Sequence, residues 1–306
     1  MINIEKARQF FNEYASRYIN DVKNSDKSDE DKQHTLDAIK LKIGHMLRVT
    51  KSCHSIAERL NLSDEDVKLA ELIGLLHDIG RFEQLKEYDT FDDTKSIRHD
   101  LYSVVQLFNN DKIIKHFIDV EDDKVDPVEY YIISRAVYNH GRKEIEQRDF
   151  SDTDEIDPTT KLFCGIIRDA DKMDIYYQCV NRDPYVVFNG SRDYKAKSDP
   201  STGKLIIDGS MNPKVFSDFM SHRPIDNKDV VTQVDDLARK FAFVFDFNFS
   251  ESLEEVIANE YISKMLSRFK ESFILTEEAV RAVDAVAAEA ERYIHDKMEK
   301  TELLRK

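Results

Sequence analysis

The sequence has no tryptophan, only three cysteines and no long run of apolar residues. The cysteines are odd in number and are embedded in helical patterns, which excludes a disulfide framework and indicates a reducing compartment. No segment approaches the ~20 consecutive apolar residues of a membrane span, and residues 1–6 lack the basic start and apolar run of a signal peptide. We therefore expect a soluble, cytoplasmic protein without a membrane partner.

Basic residues are also in deficit, since 45 Lys and Arg stand against 60 Asp and Glu and the formal net charge is −15. A field of this sign repels a polyanion at long range, which argues against binding to polymeric DNA or RNA. A small phosphorylated ligand is compatible with this charge, because metal ions and a few arginines can reverse the field inside a pocket. The 41% of hydrophobic residues suffice for one large core or two small ones.

Strand-like alternation of apolar and polar residues is nearly absent, whereas apolar residues recur at helical spacing along most of the chain. The sequence therefore predicts an all-α fold. A long helix is expected from Leu36 to Leu60, and Ser63 is expected to cap a second helix that Gly80 ends. Further helices are expected over residues 97–109, 127–140, 160–180, 228–246, 251–271 and 277–302.

Residues 181–227 break the helical pattern because they hold four of the six prolines and three of the eight glycines. They predict an irregular insertion with a small β-hairpin, whose strands are residues 194–197 and 204–207 around a turn at 199–203. The insertion either covers a pocket or contact surface or is a decorative loop. We therefore expect three parts of the chain. Residues 1–180 form an N-terminal helical core, residues 181–227 form this insertion, and residues 228–306 form C-terminal helices that pack on the core.

A His-Asp pair, His77 and Asp78, stands at the end of an apolar helix, where both side chains can turn toward one ion. An isolated pair of this kind is common and is a weak indication of a metal site. His45 on the preceding helix shares a face with Val49 and further apolar residues, so it points toward the core. His54 follows nine residues later, about half a turn beyond whole turns, and is predicted to be a surface or packing histidine. His45 is therefore the candidate ligand of that helix.

Asp171 lies on the same side of its predicted helix as Ile167 and Ala170. A carboxylate on an apolar side is costly to bury unless it meets a cation or strong hydrogen-bond donors. Asp171 is therefore either a metal ligand or the partner of an Arg or Lys in a salt bridge. Asp169 lies about 200° away around the helix and is predicted to be solvated.

Two further histidines have a less distinctive placing. His140 ends a predicted helix just before Gly141, much as His77 precedes Gly80. His99 lies in the first turn of a helix after Ser96, and periodicity alone leaves it an ordinary first-turn histidine.

Taken in order, His45, the run from His77 to Arg81 (HDIGR) and Asp171 within DADK resemble the HD-domain superfamily of metal-dependent phosphohydrolases. The resemblance covers residues 36–180. It implies a helical HD-domain bundle that binds a divalent metal ion. The implied ligands of that ion are His45, His77, Asp78 and Asp171.

Some HD-domain subgroups place two more histidines between the His-Asp pair and the last Asp, where they hold a second metal ion. His99 and His140 occupy this interval, and the resemblance implies that they are ligands of a second ion, with Asp78 bridging the two. Other subgroups use single histidines there for phosphate contact, so that alternative stays open.

The implied activity is hydrolysis of a phosphoester bond in a nucleotide or related small phosphorylated compound. Mixed imidazole and carboxylate ligands suit Mn, Fe, Co, Ni or Mg rather than a closed zinc site. A bound ion lowers the pKa of a water molecule and screens charge on a phosphoryl oxygen. The expected catalytic residues are Asp78, Arg81 and Lys172. Arg81 is expected to bind a phosphate, and Lys172 is expected to contact the phosphate or the leaving group.

Two other interpretations are compatible with the same residues. Some HD-fold proteins use two irons to activate dioxygen, so a di-iron oxygenase is the rival enzyme. A non-catalytic nucleotide-binding regulator is the rival from another class, although the complete His and Asp set argues against a decayed site. The substrate stays open among phosphomonoesters, nucleoside triphosphates and dinucleotides, which a loop over residues 82–98 and the insertion over residues 181–227 are expected to discriminate. A homo-oligomer built on the C-terminal helices also stays open.

Overall fold

Helices make up most of the structure, a computed structural model that describes residues 2–109, 113–118, 127–146, 155–189, 197–207 and 210–305. The α-helices are α1 Ile4–Lys23, α2 Asp29–Arg59, α3 Asp64–Leu76, α4 Gly80–Tyr88, α5 His99–Phe108, α6 Pro127–Asn139, α7 Pro158–Asn181, α8 Pro184–Asn189, α9 Pro213–Met220, α10 Gln233–Phe241, α11 Ser250–Ala258, α12 Tyr261–Ser272 and α13 Glu277–Arg305. Three short strands, β1 Lys197–Ser198, β2 Leu205–Ile207 and β3 Ile274–Leu275, form one small sheet. The predicted all-α class with a small β-hairpin is confirmed. No described helix is long and apolar enough to cross a membrane.

Side-chain caps set the starts of the two helices that open the site region. Ser28 caps α2 and Ser63 caps α3, each by accepting a hydrogen bond from the backbone N–H three residues later. Acidic residues fill the first turn of both helices, where they interact favourably with the helix dipole. The predicted Ser63 cap is confirmed, and α2 is longer than predicted because the Ser28 cap starts it before its apolar stripe.

Gly80 begins a helix, so the prediction that it ends one is wrong. The second helix ends at Leu76, a turn follows, and α4 starts at Gly80. A Cβ atom at Gly80 would lie 2.6 Å from the backbone nitrogen of Ser103, so only glycine allows α4 to approach α5 this closely. The Gly80 N–H donates to Ser103 Oγ at 3.0 Å. Residues 82–88, which were expected in a loop, are consequently helical.

The chain divides into two compact units, Met1–Asp171 and Lys172–Lys306. In the first unit α2 packs against α3 and α1 contacts both, while α4 packs on α5 and α5 on α6. Its fully buried core includes Phe11, Met46, Leu76, Phe82 and Ile133. The three-part organisation expected from the sequence stays a prediction.

In the second unit α10, α11 and α12 all pack against α13. The amphipathic α10 begins with a capping box, in which the Thr232 hydroxyl accepts from the Asp235 N–H and the Asp235 carboxylate accepts from the Thr232 N–H. The buried cluster of this unit includes Val234, Phe241, Met265, Phe269 and Val286.

The segment 181–227 is more regular than predicted, because it contains the helices α8 and α9. The hairpin is confirmed where it is described: β1 pairs antiparallel with β2, and the Gly203 N–H donates to Asp199 O at 2.9 Å across the turn. Gly203 has a φ of 71°, a conformation that glycine adopts without strain. The predicted strand residues 194–196 lie outside the described residues. β3 adds to β2 in parallel.

Two long helices predicted near the C-terminus are each shorter than expected. The segment 251–271 is broken into α11 and α12 at Glu260, whose φ of 54° no α-helix accommodates. The segment 228–246 contains α10, and a 3-10 turn over residues 242–246 follows it. Apolar periodicity continues across both breaks, which is why the spacing alone did not reveal them.

Candidate metal centre

Five helices or helix ends of the first unit bring the six predicted residues to one buried place. His45 comes from the middle of α2, where it is 4% exposed, and His77 and Asp78 come from the turn after α3. His99 is the first residue of α5, and His140 follows the last residue of α6. Asp171 comes from α7. The structure therefore brings all six predicted metal ligands together.

One group of ligand atoms lies around His45. His45 Nε2 is 3.2 Å from His77 Nε2, 3.2 Å from Asp171 Oδ1 and 3.4 Å from Asp78 Oδ2. His77 Nε2 lies 3.6 Å from the same Asp78 oxygen. In the described part of the chain no Arg or Lys nitrogen lies within 4.0 Å of Asp171, so its partners are imidazoles and not the cation of a salt bridge.

A second group lies on the other side of Asp78. His99 Nε2 and His140 Nε2 are 3.0 Å apart, and they lie 3.7 Å and 3.6 Å from Asp78 Oδ1. The two carboxylate oxygens of Asp78 thus face different sets of histidines. This is the arrangement of a carboxylate that can bridge two ions.

Hydrogen bonds on the opposite ring nitrogen fix the direction of three imidazoles. His77 Nδ1 donates to Gly74 O at 2.8 Å and His140 Nδ1 donates to Val137 O at 2.6 Å. A third tether joins His99 Nδ1 to Asp93 Oδ2 at 2.5 Å. Each Nε2 then carries the lone pair that a metal ion requires, and outer hydrogen bonds of this kind are typical of metal-ligating histidines.

Gly141 shapes the second group as well. A Cβ atom at Gly141 would lie 3.1 Å from Cε1 and Nε2 of His99, so a larger residue would press on the ligand ring. The prediction treated Gly141 as a helix stop, and α6 does end just before it, at Asn139.

Burial and charge tune the imidazoles differently. Burial lowers the pKa of His77 to about 3, which leaves this ring neutral at pH 7. Burial and the charge of Arg81 lower the pKa of His99. Burial also acts to lower the pKa of His140, but its hydrogen bond to Asp78 outweighs this and the pKa is raised.

The two carboxylates are ionised despite their surroundings. Burial acts to raise the pKa of Asp78, but opposing causes, of which the charge of Lys42 is the largest, outweigh it and hold the pKa well below its usual range. Burial likewise acts to raise the pKa of Asp171, and its hydrogen bond with His45 outweighs this and lowers the pKa. Ionised carboxylates are the state that binds cations.

The geometry fits a divalent ion in each group. Metal bonds of about 2.0–2.2 Å place neighbouring ligand atoms about 3 Å apart, and the distances around His45 and between His99 and His140 are of that size. Two sets of side chains lie close enough to hold an ion, and they share His77: His45, His77 and Asp171, and His77, Asp78 and His140. Mixed imidazole and carboxylate donors suit first-row divalent metals.

Lys42 was not identified from the sequence, although it contacts the centre. Its Nζ lies 2.5 Å from Asp78 Oδ2, the oxygen that faces His45 and His77. Lys42 precedes His45 by three residues and so shares the ligand face of α2. That spacing was the available signal.

The two predicted cationic residues have other contacts. Arg81 Nε lies 3.3 Å from Asp78 Oδ1, and Arg81 Nη1 donates to Gln84, to Phe91 O and to Asp93. Lys172 is the first residue of the second unit, where its Nζ lies 2.9 Å from Asp246 Oδ2. A phosphate contact stays a prediction for both residues.

Two further predictions have opposite outcomes. His54 lies away from the cluster, 41% exposed in its side chain, with Nε2 3.2 Å from Glu58 Oε2, which confirms the surface interpretation. Asp169 is fully buried, so its predicted solvation is wrong. Residues 163–170 of α7 are buried on every face, and helical phase cannot separate an inner from an outer side there.

Comparison with known proteins finds a family model that matches the segment holding this centre. Residues 43–175 match the family model described as HD domain, and all six ligand candidates fall within that range. The resemblance to the HD-domain superfamily is thereby confirmed. No curated protein and no solved structure matches the chain.

Proposed function

We propose that the protein is a metal-dependent phosphohydrolase, because residues 43–175 match the HD-domain family model. It cleaves a phosphoester bond of a nucleotide or related small phosphorylated compound. The observation that carries the proposal is the placing of Asp78, whose two oxygens each face a separate set of histidines.

The distances support a ligand role for six side chains. His45, His77, Asp78 and Asp171 would hold one ion. His99, His140 and Asp78 would hold a second ion. A bound divalent ion lowers the pKa of a coordinated water molecule and stabilises negative charge on a phosphoryl oxygen.

The protein's own residues supply orientation and charge. Asp93 holds the His99 ring through Nδ1, and the backbone carbonyls of Gly74 and Val137 do the same for His77 and His140. Arg81 acts as a positioning residue, because its guanidinium joins Asp78 to Asp93. Orienting partners of this kind typically affect metal affinity by about 10–100-fold.

The substrate class follows from charge. A net charge of −15 opposes a polymeric nucleic acid, whereas the cations gathered at the centre attract a small phosphorylated molecule. We therefore propose a nucleotide-sized substrate, with neither polymeric nucleic acid nor membrane as a partner.

A panel of phosphoesters tests the activity. Protein reconstituted separately with Mn²⁺, Fe²⁺, Co²⁺, Ni²⁺ and Mg²⁺ is assayed for phosphate release from phosphomonoesters, nucleoside triphosphates and dinucleotides, before and after EDTA. Hydrolysis that EDTA abolishes and metal restores supports the proposal. Oxygen consumption together with a mixed-valence iron signal in electron paramagnetic resonance, without phosphate release, assigns the di-iron oxygenase instead.

A further inference from the structure

The Lys42 side chain contacts Asp78, the most buried carboxylate of the centre. Its side chain is 17% exposed, so solvent reaches it, whereas the Asp78 side chain is 3% exposed. The ammonium lies 2.5 Å from Asp78 Oδ2 and over the Phe91 ring at 5.7 Å from the ring centroid. Lys42 therefore reaches from the solvent side toward the same oxygen that faces His45.

The hydrogen-bonding capacity of Lys42 is only partly used. An ammonium has three donors, and within the part of the chain that the structure describes its one polar partner is Asp78. An ion bound between His45, His77 and Asp78 takes the same carboxylate oxygen. Because a cation at low exposure needs an anionic partner, Lys42 then requires a new one.

Neighbouring cations differ from Lys42 in position or in the number of their polar partners. The Arg81 guanidinium is held by Asp78, Gln84, Phe91 O and Asp93. Lys40 is 62% exposed and pairs with Asp37 one turn earlier on α2. Within the described residues, Lys42 is therefore the cation beside Asp78 that has a single polar partner and can turn its other donors to a ligand.

We propose that Lys42 is the phosphate-binding residue of this centre. In the metal-free protein its ammonium neutralises Asp78, and in the loaded protein it donates to an oxygen of a phosphoryl group. The inference rests on the proposed function for the identity of the ligand, and inorganic phosphate is the simplest member of that class.

The two roles predict changes of opposite sign in Lys42→Met, which keeps the length of the side chain and removes its charge. Titration calorimetry of the metal-free full chain with Mn²⁺ should show tighter binding, by about threefold or more, because a like charge next to the ion is gone. Titration of the Mn²⁺-loaded chain with inorganic phosphate should show weaker binding, by about tenfold or more, as expected for loss of a charged hydrogen bond. Lys42→Arg should retain phosphate binding.

Lys40→Met is the matched control, because it removes the same charge from the same helix two residues away and should change neither affinity. Unchanged phosphate affinity in Lys42→Met, with Mn²⁺ bound, overturns the inference while leaving metal-dependent hydrolysis intact. The predicted affinity changes without hydrolysis of any phosphoester contradict the proposed function and leave the role of Lys42 standing.

A measurement on the parent protein covers the case in which Lys42→Met does not fold. Acetic anhydride labelling followed by mass spectrometry should modify Lys42 of the Mn²⁺-loaded chain more than that of the metal-free chain, because the ion competes for Asp78. Added phosphate should protect Lys42 and leave Lys40 unprotected. Equal labelling of Lys42 with and without phosphate overturns the inference.

Discussion

His45 and His54 lie on the same helix and in opposite environments. His45 is buried against His77, Asp78 and Asp171, while His54 is paired with Glu58 near the surface. His45→Ala should therefore lower metal affinity by more than the ~100-fold typical of outer partners, and abolish phosphoester hydrolysis. Elemental analysis of the purified variant is the measurement.

His54→Ala is the control for that change and should keep both the metal and the activity. Circular dichroism establishes that both variants are folded. Equal loss of metal in the two variants would contradict the placing of the centre on the His45 face of α2.

Most of the six ligand candidates carry a local signal in the sequence, whereas the resemblance alone indicated His99. His77 and Asp78 end an apolar helix, and Asp171 lies on a buried helix side. The contacts of Lys42 and Asp93 are different, because they are formed across space: Lys42 meets Asp78 across 36 positions of the chain. The sequence indicates only that Lys42 shares a helix face with His45, and it does not reveal the contact with Asp78.

At the scale of elements, the approach of α4 to α5 depends on Gly80. The Cβ atom of Gly80→Ala would meet backbone atoms of Tyr102 and Ser103 at 2.6–2.9 Å, and neither can move independently of α5. We expect a loss of about 1–3 kcal/mol in the free energy of unfolding, the usual size of overpacking. Urea denaturation followed by circular dichroism measures it.

Gly44→Ala is the matched control within α2. Its Cβ would meet only Arg48 Nη1, the end of a flexible side chain, at 3.2 Å. Alanine is favoured over glycine inside a helix by up to about 1 kcal/mol, so this variant should be as stable as the parent or more so. A Gly80→Ala protein as stable as Gly44→Ala would show that α4 and α5 do not approach this closely.

Most helices were predictable from apolar spacing, whereas α4, α8, α9 and several helix ends were not. Gly80 begins α4 instead of ending α3, because its role is set by contact with α5. The helix breaks at Glu260 because the backbone of this residue is in the left-handed region. Glutamate rarely adopts this conformation, so the residue type gave no indication of the break. Such ends are decided by tertiary packing.

At the scale of the whole molecule, an acidic chain buries carboxylates that must stay ionised. In the second unit, Asp236 pairs with Lys240 and with Arg239, whose Nη2 lies 2.6 Å from Asp236 Oδ1. Burial acts to raise the pKa of Asp236, but the charges of Lys240 and Arg239 outweigh it and lower the pKa from 3.8 to about 2. A lowered folded-state pKa stabilises the protein above about pH 4, and this stability is lost as the pH falls through about 2.

Asp236→Asn should consequently destabilise the protein by about 3 kcal/mol at pH 7, because it leaves Lys240 buried beside a neutral amide. The difference from the parent should shrink toward pH 2, where Asp236 of the parent is protonated. Urea denaturation at several pH values measures both effects.

Asp296→Asn is the control for this acid dependence. It removes an exposed ion pair with Arg292 and should change stability by less than about 1 kcal/mol. A constant difference between parent and Asp236→Asn from pH 7 to pH 2 would contradict the assigned pKa shift.

The measurement that tests the metal-dependent phosphohydrolase most directly is a titration of metal-free protein with Mn²⁺ while phosphoester hydrolysis is followed. We predict no activity without metal, a rise to saturation at about two ions per chain, and saturation at about one ion with most activity lost in His99→Ala and His140→Ala. A parent that saturates at one ion, or variants that keep the parent stoichiometry, would contradict the second ion. Full activity in the metal-free chain would contradict the central claim.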